Sequence, residues 1–337
     1  MRALVYTGTR QIEIQDTPDP ICANDGAVVK VCAAGICGSE VEAYLGKSRK
    51  RVPPFVMGHE FAGTVHSVGP DVENAQIDDR VAIQPLVSCH HCPQCREGRT
   101  NLCPNRKLMS MDMPGGHAEY AAVPASALYQ LPADVDFVAA TLIEPLANAV
   151  HILARTDHTT LDKLVVVGGG TIGAVVVALA KTTGIDSIAV VEPNPAKHDK
   201  LAALGAEMVV DPRDQASLDD VLDWSAGGSR LVVDASGAAS ARKFAIDCAG
   251  PGATVLFVGQ ASGSCDADHR DIVAKELAVK GSYGYTDADF SSALRVLAEG
   301  KVSIGKITRV IPMHDAPQAF AELASGRSPD IKIIILP

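Results

Sequence analysis

The chain is short of positive charge: 30 lysines and arginines stand against 40 acids, a formal net charge of −10 over 337 residues. A nucleic-acid partner would demand a basic face, so that class of function is set aside. No run reads as a membrane span either. Leu164 to Ala180 is uncharged between Lys163 and Lys181, but it is somewhat short for a bilayer. It also carries Gly168, Gly169, Gly170 and Gly173 near its start, which suits a buried strand, a tight turn and a helix. No secretory leader or polybasic segment opens the sequence, where Met1-Arg2-Ala3-Leu4-Val5 reads as a first strand. The nine cysteines form no even framework, which fits a reducing cytoplasm better than a disulfide scaffold. Internal repeats and low-complexity tracts are lacking too. What remains is an acidic chain, expected in the cytoplasm, whose partner is a small molecule rather than nucleic acid or membrane.

Apolar residues make up 47% of the sequence, enough for a core without staples, and the length suits two domains. The most specific pattern is the C-x2-C-x2-C-x7-C run of Cys89, Cys92, Cys95 and Cys103. Two-residue gaps turn neighbouring thiolates toward one point, and a fourth after a short loop completes the tetrahedron of a closed Zn2+ site. Cys103-Pro104 leaves iron–sulfur ligation open on spacing alone. Four unrelated core thiols fit less well, because the segment around them is polar and charged.

The first third of the chain has short strand signals separated by Gly and Pro, such as Val28–Val31, Gly63–Gly69 and Arg80–Ile83, and reads as a β body. From about Leu161 the texture changes. Apolar strands at Leu164–Val167, Ser187–Val191, Met208–Val210, Leu231–Asp234 and Thr254–Val258 alternate with helices such as Pro195–Leu204 and Ala238–Ala249. That alternation predicts a doubly wound parallel sheet. The tail reads as two helices, Asp289–Glu299 and Ala316–Ser325, and a closing strand, Ile331–Leu336.

Gly168, Gly170 and Gly173 form a G-x-G-x-x-G between an apolar strand and a helix that starts near Thr171 and Ile172. In that context the first Gly makes the turn, the second admits a pyrophosphate and the third lets helix and strand approach. Glu192 ends the next strand at about the distance where an acid bonds the ribose 2′-hydroxyl, and it would repel a 2′-phosphate, favouring NAD over NADP. A solvated or capping Glu is the alternative. Lys197 would reach the adenosine ribose, or be an ordinary exposed helix lysine.

A sparser group comprises Cys37-Gly38-Ser39-Glu40, Gly58-His59-Glu60 and Glu144-Pro145. A thiolate, an imidazole and one or two carboxylates suit a catalytic zinc with an open position, although each residue alone has an ordinary structural explanation. Cys37-Gly38-Ser39, Gly58-His59-Glu60, the Cys89–Cys103 lobe and the Gly168–Gly173 loop occur in this order in zinc-dependent medium-chain dehydrogenases, which the sequence resembles along essentially its whole length.

The resemblance implies an α/β fold: a GroES-like, β-rich catalytic domain from 1–145 and 285–337, with a structural-zinc lobe at about 86–106, and a Rossmann NAD-binding domain at 146–284. Glu144 resembles the polyol branch of sorbitol, galactitol-1-phosphate and threonine dehydrogenases. Cys37, His59 and Glu144 are then expected around the catalytic zinc, with Glu60 a ligand or an exchanging neighbour, and Cys89, Cys92, Cys95 and Cys103 around the structural one. The zinc would lower the pKa of a substrate hydroxyl whose hydride passes to NAD, with Ser39 accepting the hydroxyl proton. Tyr44 and Tyr285 are expected near the substrate, although a packed Tyr44 fits as well. A homo-oligomer, dimer or tetramer, is also expected.

Three positions depart from the family. Glu40 replaces an Asp that orients the imidazole, Glu42 stands where several relatives have a relay His, and Gly284 lacks the Arg of sorbitol dehydrogenases. The basic run Lys47-Ser48-Arg49-Lys50-Arg51 reads as a solvated loop, or as an attractor for an anionic substrate group. The reaction expected is oxidation of a secondary alcohol (a polyol, sugar alcohol or its phosphate) to a ketone by NAD. The alternatives are a threonine-dehydrogenase-like enzyme on an amino alcohol or hydroxy acid, and a nucleotide-binding relative without catalysis.

Overall fold

A computed structural model describes residues 1–156, 163–261, 263–265 and 267–337; Leu161, where the texture changes, lies outside them. In chain order the first strands are β1 (Arg2–Gly8), β2 (Gln11–Asp16), β3 (Gly26–Gly35), β4 (Phe55–Val56) and β5 (Glu60–Val68). They are followed by β6 (Arg80–Ile83), β7 (Leu86–Val87), β8 (Lys107–Leu108), β9 (Tyr120–Pro124) and β10 (Leu128–Gln130). Helices α1 (Gly38–Tyr44), α2 (Pro93–Arg96), α3 (Phe137–Ala140) and α4 (Ile143–Ala154) lie among or just after them. The middle of the chain carries β11 (Lys163–Val167), β12 (Ser187–Val191), β13 (Met208–Val210), β14 (Ser229–Asp234), β15 (Ala249–Phe257) and β16 (Ala278–Gly281). Its helices are α5 (Thr171–Thr182), α6 (His198–Leu204), α7 (Ser217–Trp224), α8 (Ala239–Asp247) and α9 (His269–Ala274). The tail has α10 (Asp287–Ala298), β17 (Thr308–Pro312), α11 (Ala316–Ala324) and β18 (Lys332–Leu336). Two compact units result: Met1–Ala147 with Tyr285–Gly300 and Thr308–Pro337, and Asn148–Gly284 with Lys301–Ile307.

The first unit is built around β3. Its Val28, Val29 and Val31 suit a pleated, buried surface, and it pairs antiparallel with β5, β9 and β18 in a seven-stranded sheet ordered β10-β6-β5-β3-β18-β17. One core, with Val29, Val31, Phe61, Val65, Val81 and Ile83, fills one part of this unit. A second, with Leu4, Tyr44, Met57, Phe320, Ile333 and Ile335, joins the N-terminal strands to α11 and the last strand. The register matters for chemistry: Gly35, at the end of β3, faces Glu60 on β5 and Ile334 on β18. Three distant segments therefore converge just before Cys37.

The second unit is an all-parallel six-stranded sheet ordered β13-β12-β11-β14-β15-β16. That is the 3-2-1-4-5-6 order of a Rossmann fold. Central strands of such sheets are covered on both faces and read as continuous apolar runs, as Leu164, Val165, Val166 and Val167 do. The α5 stretch Gly173–Ala180 is buried all round, and its small and β-branched residues let it lie close on the sheet. Strand β16, whose four residues are all exposed, has no apolar alternation and was not anticipated.

Candidate functional site

The first unit gathers Cys37, His59 and Glu60. Cys37 is the N-cap residue of α1, His59 precedes β5, and Glu60 opens it. One donor atom from each lies within 4.8 Å of the others. The fully buried Glu40 organises this cluster. Its Oε1 accepts from Gly58 N (2.8 Å) and Ser110 Oγ (2.8 Å) and lies 2.7 Å from His59 Nδ1. Its Oε2 accepts from Cys37 N at 3.1 Å. A carboxylate only accepts, so Nδ1 carries the proton and Nε2 is left for a metal. The longer Glu thus reaches the imidazole.

Burial alone would raise the Glu40 pKa, but the charges of His59 and His117 and the hydrogen bond from His59 hold it well below the carboxylate range. Burial likewise opposes the imidazolium of His59, yet Glu40 and then Cys37 lift it to about 10. Cys37, penalised by burial, is drawn down to about 6 by the charge and hydrogen bond of His59 and then by Lys332. The cluster thus offers a thiolate, a carboxylate and an imidazole that gives up its second proton to a metal, a donor set that fits catalytic Zn2+.

Lys332 was not anticipated. Its buried Nζ donates to Ile36 O at 3.0 Å and forms an ion pair with Glu60 Oε2. The pair crosses over Gly35, where a Cβ would fall 2.4 Å from Glu60 Oε2 and 2.7 Å from Lys332 Cε. The signal was a lysine inside the apolar run Ile331-Lys332-Ile333-Ile334-Ile335, since lysine is almost never fully buried unless paired. Ser110, His117 and the buried Arg51 are further members of the surroundings that local sequence did not indicate.

Glu144 lies in the first turn of α4 and is not one of the three residues in the close group. It neighbours the buried Tyr285, whose hydroxyl is pushed well above its usual range by burial and then by the Glu144 charge. Tyr44 is 6% exposed, and its ring meets that of Phe320 at 5.7 Å and a tilt of 48° in the core. The buried face of α1, with Ala43, turns it inward, in keeping with the packed alternative. The basic run is also partly engaged. Lys47 pairs with Glu42 at 3.2 Å and Arg51 is buried, while Arg49 and Lys50 stay exposed.

In the lobe, α2 and the β7–β8 pair bring the four cysteine sulfurs within 4.8 Å of one another. Cys89 and Cys103 are 3.4 Å apart and Cys92 and Cys95 3.5 Å. These are not disulfides; they approach the edges, about 3.8 Å, of a tetrahedron with Zn–S of about 2.3 Å. The lobe is tied to α10, because Asp287 N donates to Thr100 Oγ1 and Gln84 Nε2 donates to Asp287 Oδ1.

The second unit presents the glycine loop between β11 and α5. Gly168 has φ +107°, and a Cβ on Gly173 would fall 1.9 Å from Gly168 O. A Cβ on Gly170 would meet nothing within 4 Å. That open space ahead of the Thr171 and Ile172 N-terminus of α5 fits a pyrophosphate. Glu192 is buried and braces the loop, accepting from Gly169 N and Asn194 N, each at 2.8 Å. Lys197 is half-buried where a short turn meets α6.

Residues 23–133 match the alcohol dehydrogenase GroES-like domain family and residues 171–299 the zinc-binding dehydrogenase family. The chain is 31% identical over 345 residues to the probable D-xylulose reductase A of Arthroderma otae, covering 99% of this chain and 96% of that one. It is 32% identical over 334 residues to the L-galactonate-5-dehydrogenase of Escherichia coli K12, covering 98% and 95%. Its fold matches a solved alcohol dehydrogenase of E. coli CFT073 complexed with NADH, with a TM-score of 0.92, 27% identity and coverage of 100% and 99%. Fold, donor sets and matches together define a zinc-dependent dehydrogenase. The chain belongs to the medium-chain dehydrogenases of the alcohol dehydrogenase superfamily, in the polyol branch. It is an oxidoreductase that uses zinc and NAD to interconvert an alcohol and a ketone.

Proposed function

We propose that the enzyme oxidises a secondary hydroxyl of an uncharged polyol, by the balance alcohol + NAD+ → ketone + NADH + H+. The observation that carries this is the cluster of Cys37, His59 and Glu60 around a buried Glu40. When bound, Zn2+ supplies a Lewis acid that acidifies the alcohol, and NAD+ supplies the hydride acceptor. Cys37 and His59 hold the metal, Glu60 and Glu144 are its carboxylates, and Glu60 is the exchanging one because Lys332 competes for it. Ser39 takes the hydroxyl proton and, its own O–H turning from Cys37 Sγ about the Cβ–Oγ bond, passes that proton to water. Gly168, Gly170, Gly173, Thr171 and Ile172 receive the pyrophosphate, Glu192 and Lys197 address the ribose, and Tyr285 supports Glu144 behind the substrate. Cys89, Cys92, Cys95 and Cys103 hold the structural zinc.

The catalytic domain is formed by the two ends of the chain and the NAD domain by its middle. The exposed edge strand β16 supports a homo-oligomer, since an unpaired edge invites a second copy. The cytoplasm is the proposed location; among the described residues no helix is long and apolar enough to cross a membrane. Engagement of Lys47 and Arg51 by the protein's own groups supports a free polyol over a phosphorylated one. An NADH-formation screen over xylitol, sorbitol, galactitol 1-phosphate, L-galactonate and L-threonine tests this. Turnover of the free polyols, lost with a chelator, is expected. Turnover confined to the phosphate or to threonine would overturn the substrate class.

A further inference from the structure

Arg51 ends a run of charged residues that reads as a solvated loop, yet it is 3% exposed. Its Nε donates to Ser110 O, Nη1 to Ser39 O at 2.9 Å, and Nη2 to Ser39 Oγ at 3.2 Å. All three acceptors are uncharged oxygens. Among the described residues no carboxylate hydrogen-bonds this buried guanidinium, and the charge of Glu40 acts on it from beyond that range, so its place calls for a reason. Ser110 links the grip to the metal site: it holds φ +67°, and its hydroxyl donates to Glu40 Oε1 at 2.8 Å.

We propose that Arg51 is a positioning residue for Ser39, fixing the one rotamer in which the hydroxyl faces Cys37 Sγ. The inference rests on the reading of Ser39 as the group that takes the alcohol proton. Ser39 is exposed in the first turn of a seven-residue helix, so core packing does not choose among its three staggered rotamers. Arg51 does. It has no acceptor, so the Ser39 proton must turn away from it, and the hydroxyl donates to Cys37 Sγ at 3.5 Å. One lone pair of Oγ is occupied by Arg51, and the other is left to receive a proton from a bound alcohol. The guanidinium fork spans the carbonyl and the hydroxyl of the same residue, which a lysine ammonium at that depth does not reproduce. Arg51 therefore orders the serine without itself carrying the proton.

The test is a double-mutant cycle on the full-length, zinc-loaded protein with xylitol and NAD+, comparing wild type, R51Q, S39A and the double variant. A parallel comparison takes zinc-free crystals of wild type and R51Q and reads the Ser39 rotamer. R51Q is expected to lower kcat by about ten- to a hundredfold with KM within about threefold, the scale of a misplaced group. In the S39A background the same change is expected to alter kcat by less than about twofold. In the crystals Ser39 occupies one rotamer in wild type and several in R51Q. An equal loss from R51Q in both backgrounds makes Arg51 merely structural and overturns the proposal, as does a single Ser39 rotamer in R51Q. Wild-type kcat in S39A instead refutes the proton role of Ser39, and the rotamer comparison then judges Arg51 alone. It does so also if xylitol is not turned over. Should R51Q not fold, R51K, which keeps the charge but not the fork, takes its place with the same expectations.

Discussion

Glu60 and Lys332 are both buried to within 1% of full enclosure, and their ion pair crosses the bare backbone of Gly35. Burial lowers the Lys332 pKa to about 8, against the pull of the anionic Cys37 and Glu40. Breaking such a pair by removing one partner leaves a desolvated charge and costs about 3–5 kcal/mol. K332M is therefore expected to destabilise the zinc-free protein by about that amount, measured from urea denaturation midpoints at unchanged slope. K332M/E60Q is expected to recover most of it, because the orphaned charge is gone. A loss below about 1 kcal/mol in K332M would show that water or another cation already compensates Glu60. At the same scale, C37S is expected to abolish NADH formation while leaving NAD affinity unchanged, read by cofactor titration. Cys37 and the glycine loop belong to different compact units, so loss of NAD binding would count against the separation of roles.

At the scale of elements, the glycine loop and the strand after it form one device. Glu192 accepts from Gly169 N and from Asn194 N, so it is a brace as well as the proposed ribose partner. E192A is expected to weaken NAD binding about tenfold and to narrow the NAD/NADP ratio in kcat/KM. A ratio that stays fixed while affinity falls would assign Glu192 to the brace alone. The cysteine lobe behaves differently. C95S is expected to release one zinc per chain and to lower the thermal midpoint, with NAD affinity retained.

These elements differ in how far local sequence revealed them. β11 and β12 were plain because a strand covered on both faces needs a continuous apolar run, and the glycine loop because each glycine answers a steric demand. β16 carried no such signal: Ala278, Val279, Lys280 and Gly281 all face solvent at a sheet edge. Arg51 looked like loop charge because the group that buries it, Ser110, lies 59 residues on. Lys332 was hidden by a separation of 272 residues from Glu60. Pairing of β18 with β3 joins them, and no local pattern reports that pairing. For Tyr44 the place after Cys37-Gly38-Ser39 left a pocket and a packed ring both open, and only the tertiary fold sets it against Phe320.

At the scale of the molecule, the proposed metal site gains its Lys332–Glu60 pair only when both ends of the chain are in the first unit. The hydrogen bond from Lys332 Nζ to Ile36 O joins residues 296 positions apart. Formation of the site is thus coupled to folding, and metal uptake is coupled to protons, because a ligand must be deprotonated to bind. In the metal-free protein His59 holds its proton up to about pH 10, whereas Cys37 is already a thiolate above about pH 6. From about pH 6 to the Lys332 value of about 8 zinc displaces one proton, from the imidazole, so its apparent affinity should rise with pH by about one decade per unit. Below about pH 6 the thiol also holds its proton, and the slope steepens toward two. Competition against a chromophoric chelator from pH 6.5 to 7.5, with C95S supplying a protein whose lobe site is disabled, isolates the catalytic site. A pH-independent affinity across that range would mean that His59 is already neutral in the folded protein, and that Glu40 orients the imidazole without charging it.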